Sequence, residues 1–124
     1  MQLTIQDNEQ LASIQQRFNE MFPYLRIEFY AKKGKNKPVK QEPADPTETF
    51  GTIRSVHTSG TLEILPAMSV RELEEILNRD YGIMARVFRK SGKMWLQTSV
   101  TDKWTLEHQN NEGKALSGNS IFHG

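Results

Sequence analysis

The chain contains no cysteine, no long apolar run and no excess of charge of either sign. Without cysteine it can form no disulfide bridge and no thiolate metal site, and it has no thiol nucleophile. No stretch approaches the roughly 20 apolar residues of a membrane-spanning helix, and the N-terminus lacks the basic start and apolar run of a cleaved signal. These absences predict a soluble, cytoplasmic protein that folds on its hydrophobic core alone and makes no membrane contact.

The balance of charge restricts the partners. Sixteen Lys and Arg against fifteen Asp and Glu leave a net charge of +1 at pH 7. No strong overall attraction to nucleic acid is expected, so such a partner would need a local patch. The 124 residues, 36% of them hydrophobic, suffice for one domain with a modest core, which we place at residues 1–110. The polar residues 111–124 are predicted to form a flexible tail.

The clearest local signals lie in the second half of the chain. Ser69 and Glu72 have the spacing of a capping box, and apolar residues then recur at helical intervals. Gly82 follows where a helix needs a left-handed exit. The β-branched and aromatic residues after it predict a strand, and Ser91-Gly92 predicts a two-residue hairpin turn before a returning strand.

The N-terminal half contains a similar β-α-β pattern. Leu3 and Ile5 alternate with polar residues, Asp7 can cap a following helix, and residues 24–31 alternate again as a strand. Shifting the first unit by 59 residues, with a later slip of one, aligns the two units. The aligned pairs are Leu3 with Leu62, Ile5 with Ile64, Leu11 with Val70, Ile14 with Leu73, Phe18 with Leu77, Phe22 with Tyr81 and Phe29 with Val87.

Two β-α-β units in a small chain favour an α+β fold of the ferredoxin-like type. In that plan two helices cover one face of a single antiparallel sheet. With the additional C-terminal hairpin strand, the predicted strand order is 5-4-1-3-2. A roll-like arrangement would satisfy the same periodicities.

The connection between the units, residues 32–58, is longer than an ordinary loop and is basic and proline-containing. Asp45-Pro46 resembles a helix start, which predicts a short helix through Phe50 and Ile53. The lysines of the connection are Lys32, Lys33, Lys35, Lys37 and Lys40.

No residue pattern indicates catalysis. His57, His108 and His123 are scattered, without the spacing of metal ligands. Asp102 and His108 could pair, but neither a serine elbow nor a phosphate-binding glycine loop accompanies them. We therefore predict no catalytic residue, no metal site, no cofactor and no enzymatic activity.

The informative feature is the sheet face turned away from the helices. A turn at Ser91-Gly92 places Phe88 opposite Trp95 on that face, and an exposed apolar cluster of this kind usually has something bound to it. In one interpretation, Trp104 and Leu106 fold back and cover the pair. In another, the face or an exposed sheet edge binds a different protein or a second copy, which would make a homodimer. The protein-interaction candidates are Met84, Arg86, Phe88, Trp95 and Trp104.

Single-stranded nucleic acid is the alternative partner, because aromatic side chains stack on bases and lysines neutralise phosphates. RNA-recognition domains carry their stacking aromatics on the two central strands. Here the corresponding positions are Thr4, Gln6, Thr61 and Glu63, so this alternative ranks second. Its candidates are the five lysines of the connection together with Arg89, Lys90 and Lys93.

The C-terminal part of the chain carries a recognisable pattern. R-K-S-G-K-x-W-L-x-T, followed by T-D-x-W-T-L-x-x-Q-N, covers residues 89–110. It is similar to a pattern in small bacterial proteins of unknown function. The resemblance implies kinship in fold and brings no activity with it.

Overall fold

The computed structural model describes residues 1–31 and 42–118, which form an α+β fold with two antiparallel sheets. None of the helices in these ranges is long and apolar enough to cross a membrane. In chain order the elements are β1 (Gln2–Ile5), α1 (Leu11–Met21), β2 (Leu25–Tyr30), α2 (Phe50–Ile53), β3 (Gly60–Glu63), α3 (Val70–Tyr81), β4 (Met84–Ser91), β5 (Met94–Gln97) and α4 (Leu106–Gly118).

The strands divide into two sheets. β1 pairs with β3, and a second sheet has the order β2-β4-β5. The α+β class is confirmed, but the single sheet in the order 5-4-1-3-2 is not what the structure contains. In the ferredoxin-like plan β1 and β3 are parallel neighbours, whereas here they run antiparallel.

Each strand of the first unit pairs with its own counterpart in the second. Leu3 lies opposite Leu62, the pair aligned by the offset of 59 residues. Glu28 lies opposite Arg86, as the one-residue slip requires. Antiparallel pairing of equivalent residues means that a pseudo-two-fold axis relates the two units. This arrangement explains the two separate sheets, since β1–β3 and β2–β4 each form around that axis.

Backbone hydrogen bonds extend the repeat to α2 and α4. In each unit, the start of the first helix and the start of the following helix exchange hydrogen bonds. The bonds are Leu11 N–H to Glu48 O (2.9 Å) and Phe50 N–H to Glu9 O (3.1 Å) in the first unit, and Val70 N–H to Trp104 O (3.2 Å) and Leu106 N–H to Met68 O (2.8 Å) in the second. The repeating unit is therefore β-α-β-α, with α2 equivalent to α4.

One hydrophobic cluster joins both sheets and the helices. Leu3 and Leu62 contribute from the first sheet, and Phe29 from the second. Phe29 meets Phe50 of α2 edge to face, with ring centroids 5.2 Å apart, and Leu106 at the start of α4 is fully buried. Burying a side chain of this size contributes about 1.5–3 kcal/mol, so α2 and α4 both contribute to the core.

The predicted ends of α3 are confirmed. Ser69 Oγ accepts a hydrogen bond from the Glu72 N–H at 3.0 Å. Gly82 adopts a left-handed conformation with φ 66°, and its N–H donates to the Asn78 carbonyl oxygen.

The predicted cap of α1 is wrong. The N-cap is Gln10, which makes no side-chain capping bond. Asp7 instead accepts from Arg54, with Oδ1 2.8 Å from Nη2, and its Oδ2 lies 2.9 Å from His57 Nδ1. Arg54 is buried and also donates to two carbonyl oxygens, so it draws the carboxylate of Asp7 away from the helix.

The hairpin turn lies one residue later than predicted. Lys90 faces Trp95, so the two-residue turn is Gly92-Lys93. Gly92 has φ 62°, and a glycine with positive φ at the first turn position is the signature of a type II′ turn. The register is therefore displaced by two residues, which keeps every side chain on its predicted face. Phe88 lies opposite Gln97, and Trp95 is its diagonal neighbour.

The polar C-terminal segment forms a longer helix than its composition suggests. The sequence predicts a flexible tail from residue 111, whereas α4 continues to Gly118. A Cβ at Gly113 would lie 2.9 Å from Tyr24 Cβ, so glycine permits α4 to approach β2 closely. Asn110 Oδ1 accepts the Tyr24 N–H at 2.8 Å. Residues 119–124 lie outside the described part.

The two helix starts give a matched test of the cap. We expect Ser69→Ala to lower the free energy of unfolding by about 1 kcal/mol, because the Glu72 N–H loses its acceptor. Gln10→Ala at the equivalent position should change it by less than about 0.5 kcal/mol. Urea denaturation of both variants measures the difference, and equal effects would contradict the assigned caps.

Candidate binding groove

The aromatic face of the second sheet is formed by alternate residues of three strands. Arg26 of β2 lies opposite Phe88 of β4, and Trp95 of β5 lies on the same face. Together with Glu28 and Pro43 these side chains line a depression of about 190 Å³, called here the Trp95 groove. Phe88 and Trp95 are half-buried.

Arg26 is held in place over the indole. Its guanidinium carbon lies 5.8 Å from the centre of the Trp95 ring, and its Nε donates to Glu28 Oε1 at 2.6 Å. Glu28 is only 7% exposed and also accepts from Gln15 Nε2 at 3.4 Å. These contacts hold the guanidinium over the indole before any ligand arrives. The charge of Glu28 also acts on Tyr30 at the end of β2, where burial, followed by that charge, raises the pKa of Tyr30.

The groove continues over the outer edge of β2. A second depression of about 320 Å³ shares Arg26, Glu28 and Trp95 with the first. Its other lining residues are Gln15, Gln16, Asn19, Ile27 and Pro46.

Side chains and loop backbone donate hydrogen bonds to the carbonyl groups of β2 that point away from β4. Asn19 Nδ2 donates to the Leu25 oxygen and Gln15 Nε2 to the Ile27 oxygen, each at 2.9 Å. The Ala44 N–H donates to the Phe29 oxygen at 2.7 Å. Because these acceptors are satisfied, this edge is protected against the addition of another strand.

The pseudo-two-fold axis relates this region to a second cleft of about 270 Å³. Glu74 takes the place of Gln15, and Arg86 takes the place of Glu28. At these two positions the second cleft therefore carries an acid and a base where the first carries an amide and an acid. Its lining residues are Arg71, Glu74, Glu75, Asn78, Met84, Arg86 and Asp102, and we call it the charged cleft.

Glu74 has a structural role in the charged cleft. Its Oε2 accepts the Val87 N–H at 3.0 Å, and Arg86 Nη1 lies 3.8 Å from its Oε1. Burial raises the pKa of Glu74, although the Val87 N–H and the charge of Arg86 act in the opposite direction. Arg71 and Asp102 are joined by two hydrogen bonds at 3.1 and 3.2 Å.

The other predicted protein-interaction residues do not all join the groove. Met84 and Arg86 line the charged cleft. Trp104 stacks on His108 with ring centroids 4.2 Å apart, and the guanidinium carbon of Arg89 lies 5.6 Å from the centre of the Trp104 ring. Arg89 and Phe88 are successive strand residues and point to opposite faces. Trp104 and the buried Leu106 therefore do not cover Phe88 and Trp95, contrary to that interpretation.

The predicted nucleic-acid residues are also dispersed. Arg89 donates to Gln109 Oε1 at 2.9 Å, on the α4 side of the sheet. Lys90 alternates onto the face of Trp95, and Lys93 lies in the turn. Lys32, Lys33, Lys35, Lys37 and Lys40 lie outside the described residues.

The described histidines and their acidic neighbours lie away from the groove. Asp7 and His57 form an ion pair when His57 is protonated, and the hydrogen bond from His57, followed by Arg54, lowers the pKa of Asp7. Asp102 binds Arg71 instead of pairing with His108. Within residues 1–31 and 42–118, no three His, Cys, Asp or Glu side chains are grouped so that they could hold a metal ion.

Arg26, Glu28 and Pro43 were missed as site residues. The alternation of residues 24–31 does place Arg26 and Glu28 on the outward face of β2. That signal could not identify them, because nothing in the alternation shows that β2 lies beside β4.

Gln15 and Glu74 occupy equivalent positions, and exchanging acid and amide should have opposite effects on stability at the two positions. A raised folded-state pKa means that protonation of Glu74 stabilises the fold below its unfolded pKa, and that this stability is lost as the pH rises through the folded pKa. At about pH 7 we expect Glu74→Gln to be more stable than the parent chain, because an amide oxygen still accepts the Val87 N–H without a buried charge. The difference should shrink toward about pH 4.

Gln15→Glu is the reciprocal control. It should be less stable than the parent at about pH 7 by about 1–3 kcal/mol, because an ionised carboxylate cannot donate to the Ile27 oxygen. Thermal unfolding across this pH range measures both variants. A Glu74→Gln variant that is less stable than the parent at neutral pH would contradict the assignment.

Comparisons with known protein families, with curated proteins and with solved structures find no match to this chain. The chemistry of the groove must therefore indicate its use. The groove combines an arginine fixed over an indole with a buried carboxylate, a phenylalanine and a row of amides.

Proposed function

We propose that this protein is a non-catalytic protein-interaction module that binds a segment of its partner in the Trp95 groove. The observation that carries the proposal is the placement of Arg26 over Trp95 by the buried carboxylate of Glu28. Tryptophan and arginine dominate the energetics of protein interfaces, and anchors that are already ordered lose little entropy on binding.

The dimensions and polarity of the groove indicate the kind of segment. The depression of about 190 Å³ beside Phe88 and Trp95 suits one apolar side chain. The amides of Gln15, Gln16 and Asn19 line the continuation over β2. The N–H groups of Gln15 and Asn19 bond β2, so their oxygens are the groups that can accept from the main chain of an extended peptide. The preferred partner is therefore an extended segment that carries an apolar anchor.

Single-stranded nucleic acid remains the alternative outcome. Base stacking would require an open indole face, whereas Arg26 lies over the ring of Trp95. Arg89 points to the opposite side of the sheet, toward Gln109. These two observations favour a protein partner.

Selection of peptides from a random displayed library tests the proposal. Enriched peptides should bind the full chain, and Trp95→Ala should weaken that binding by roughly 30-fold, equivalent to about 2 kcal/mol. Leu116→Ala is the matched control, because Leu116 is an exposed apolar residue on α4, and it should leave binding unchanged. Enriched peptides whose binding survives Trp95→Ala, or the failure to enrich any peptide, would contradict the proposal.

The same protein distinguishes the alternative. In a Trp104→Phe background, Trp95 reports alone while a single-stranded oligonucleotide is added. Saturable quenching that weakens steeply with salt would identify nucleic acid as the ligand instead.

A further inference from the structure

The two outer edges of the second sheet differ. On β2, side chains and loop backbone bond the outward carbonyl groups of Leu25, Ile27 and Phe29. On β5, the pair Ser91 and Met94 closes the hairpin turn. Hydrogen-bonded and non-hydrogen-bonded pairs alternate along an antiparallel ladder, so the backbone groups of Leu96 point toward β4.

The backbone groups of Trp95 and Gln97 therefore point outward. Among the described residues they have no hydrogen-bond partner. The Thr98 N–H donates to the Val87 oxygen, so Thr98, like Met94 and Leu96, directs its backbone groups toward β4. The outer edge of β5 thus offers two N–H donors and two C=O acceptors to another strand.

The four residues of β5 carry neither of the two side-chain features, charge and proline, that commonly prevent strand addition. Met94–Gln97 contains no charged residue and no proline. Met94 is 65% exposed and Leu96 38% exposed. Native proteins usually place charges or prolines on such an edge, so its uncharged, apolar character points to a partner.

We propose that β5 pairs antiparallel with β5 of a second copy of this chain, across a two-fold axis, and joins the two second sheets into one of six strands. The proposal goes beyond the role of the Trp95 groove, because it uses the main chain of β5 instead of the indole ring. A second copy is favoured because the edge is complementary to itself and brings no like charges together.

The outward groups determine the register. With the axis at Leu96, Trp95 of each copy lies opposite Gln97 of the other, and all four outward N–H and C=O groups of each copy are used. Leu96 then faces Leu96 of the second copy as a non-hydrogen-bonded pair. The two Trp95 residues become diagonal neighbours about 7–8 Å apart on one face, so the two grooves join across the axis.

Sedimentation of the full chain tests the association. We expect a reversible dimer, and Leu96→Lys should weaken it at least tenfold by placing like charges opposite each other. Gln97→Pro should have the same effect, because it removes an outward N–H and leaves the β4–β5 ladder intact. Val100→Lys, a charge on an exposed residue outside β5, is the control and should dimerise like the parent.

A cysteine-free chain permits a direct test of the register. Leu96→Cys should oxidise to a covalent dimer, since residues in a non-hydrogen-bonded pair lie about 4.5 Å apart at Cα. Met94→Cys, two residues from the axis, should do so poorly. A chain that stays monomeric, or a dimer that survives both Leu96→Lys and Gln97→Pro, overturns the proposal. The monomeric Leu96→Lys variant should still bind the peptides selected on the groove, so the two proposals can fail separately.

Discussion

The antiparallel pairing of each strand with its own counterpart supports the rest of the structure. A β-α-β unit of this size exposes one side of its helix and both edges of its strands, and two strands alone are marginally stable in water. Pairing β1 with β3 and β2 with β4 joins the two halves along both sheets. The core that results receives Leu3 and Leu62 from opposite sides of the pseudo-two-fold axis. The starts of α2 and α4 are hydrogen-bonded to the starts of α1 and α3, and these two helices complete that core.

The candidate functions arise where the two units differ. Gln15 of one cleft is equivalent to Glu74 of the other, and Glu28 is equivalent to Arg86, so an acid replaces an amide at one position and a base replaces an acid at the other. In the described residues, only the second unit adds a hairpin strand, and that strand supplies Trp95 and an unprotected edge. The common backbone provides equivalent positions for side chains, and the different residues at those positions distinguish the Trp95 groove from the charged cleft.

Local signals predicted much of the fold, because they depend on neighbouring residues. The cap at Ser69, the left-handed Gly82 and the alternation along β4 follow from sterics and hydrogen bonds within a few positions. The choice of strand partners did not follow, because an apolar periodicity is compatible with parallel and antiparallel neighbours. The predicted hairpin register was two residues off, because a glycine can occupy either central position of a two-residue turn. In the structure Gly92 takes the first position, in a type II′ turn. The helical residues after 110 could not be read from polar composition, since close contact with Tyr24 stabilises them.

Paired cysteines in this cysteine-free chain test the central pairing most directly. The Ile64 N–H donates to the Met1 oxygen, so Gln2 with Glu63 and Thr4 with Thr61 are the non-hydrogen-bonded pairs of β1 and β3. With this antiparallel pairing, Gln2→Cys/Glu63→Cys and Thr4→Cys/Thr61→Cys should each form an intramolecular disulfide in full yield on mild oxidation. A parallel arrangement with Thr4 beside Thr61 would place Gln2 beside Ser59, so it could close only one of the two. A single closing pair, or none, would contradict the pairing about the pseudo-two-fold axis.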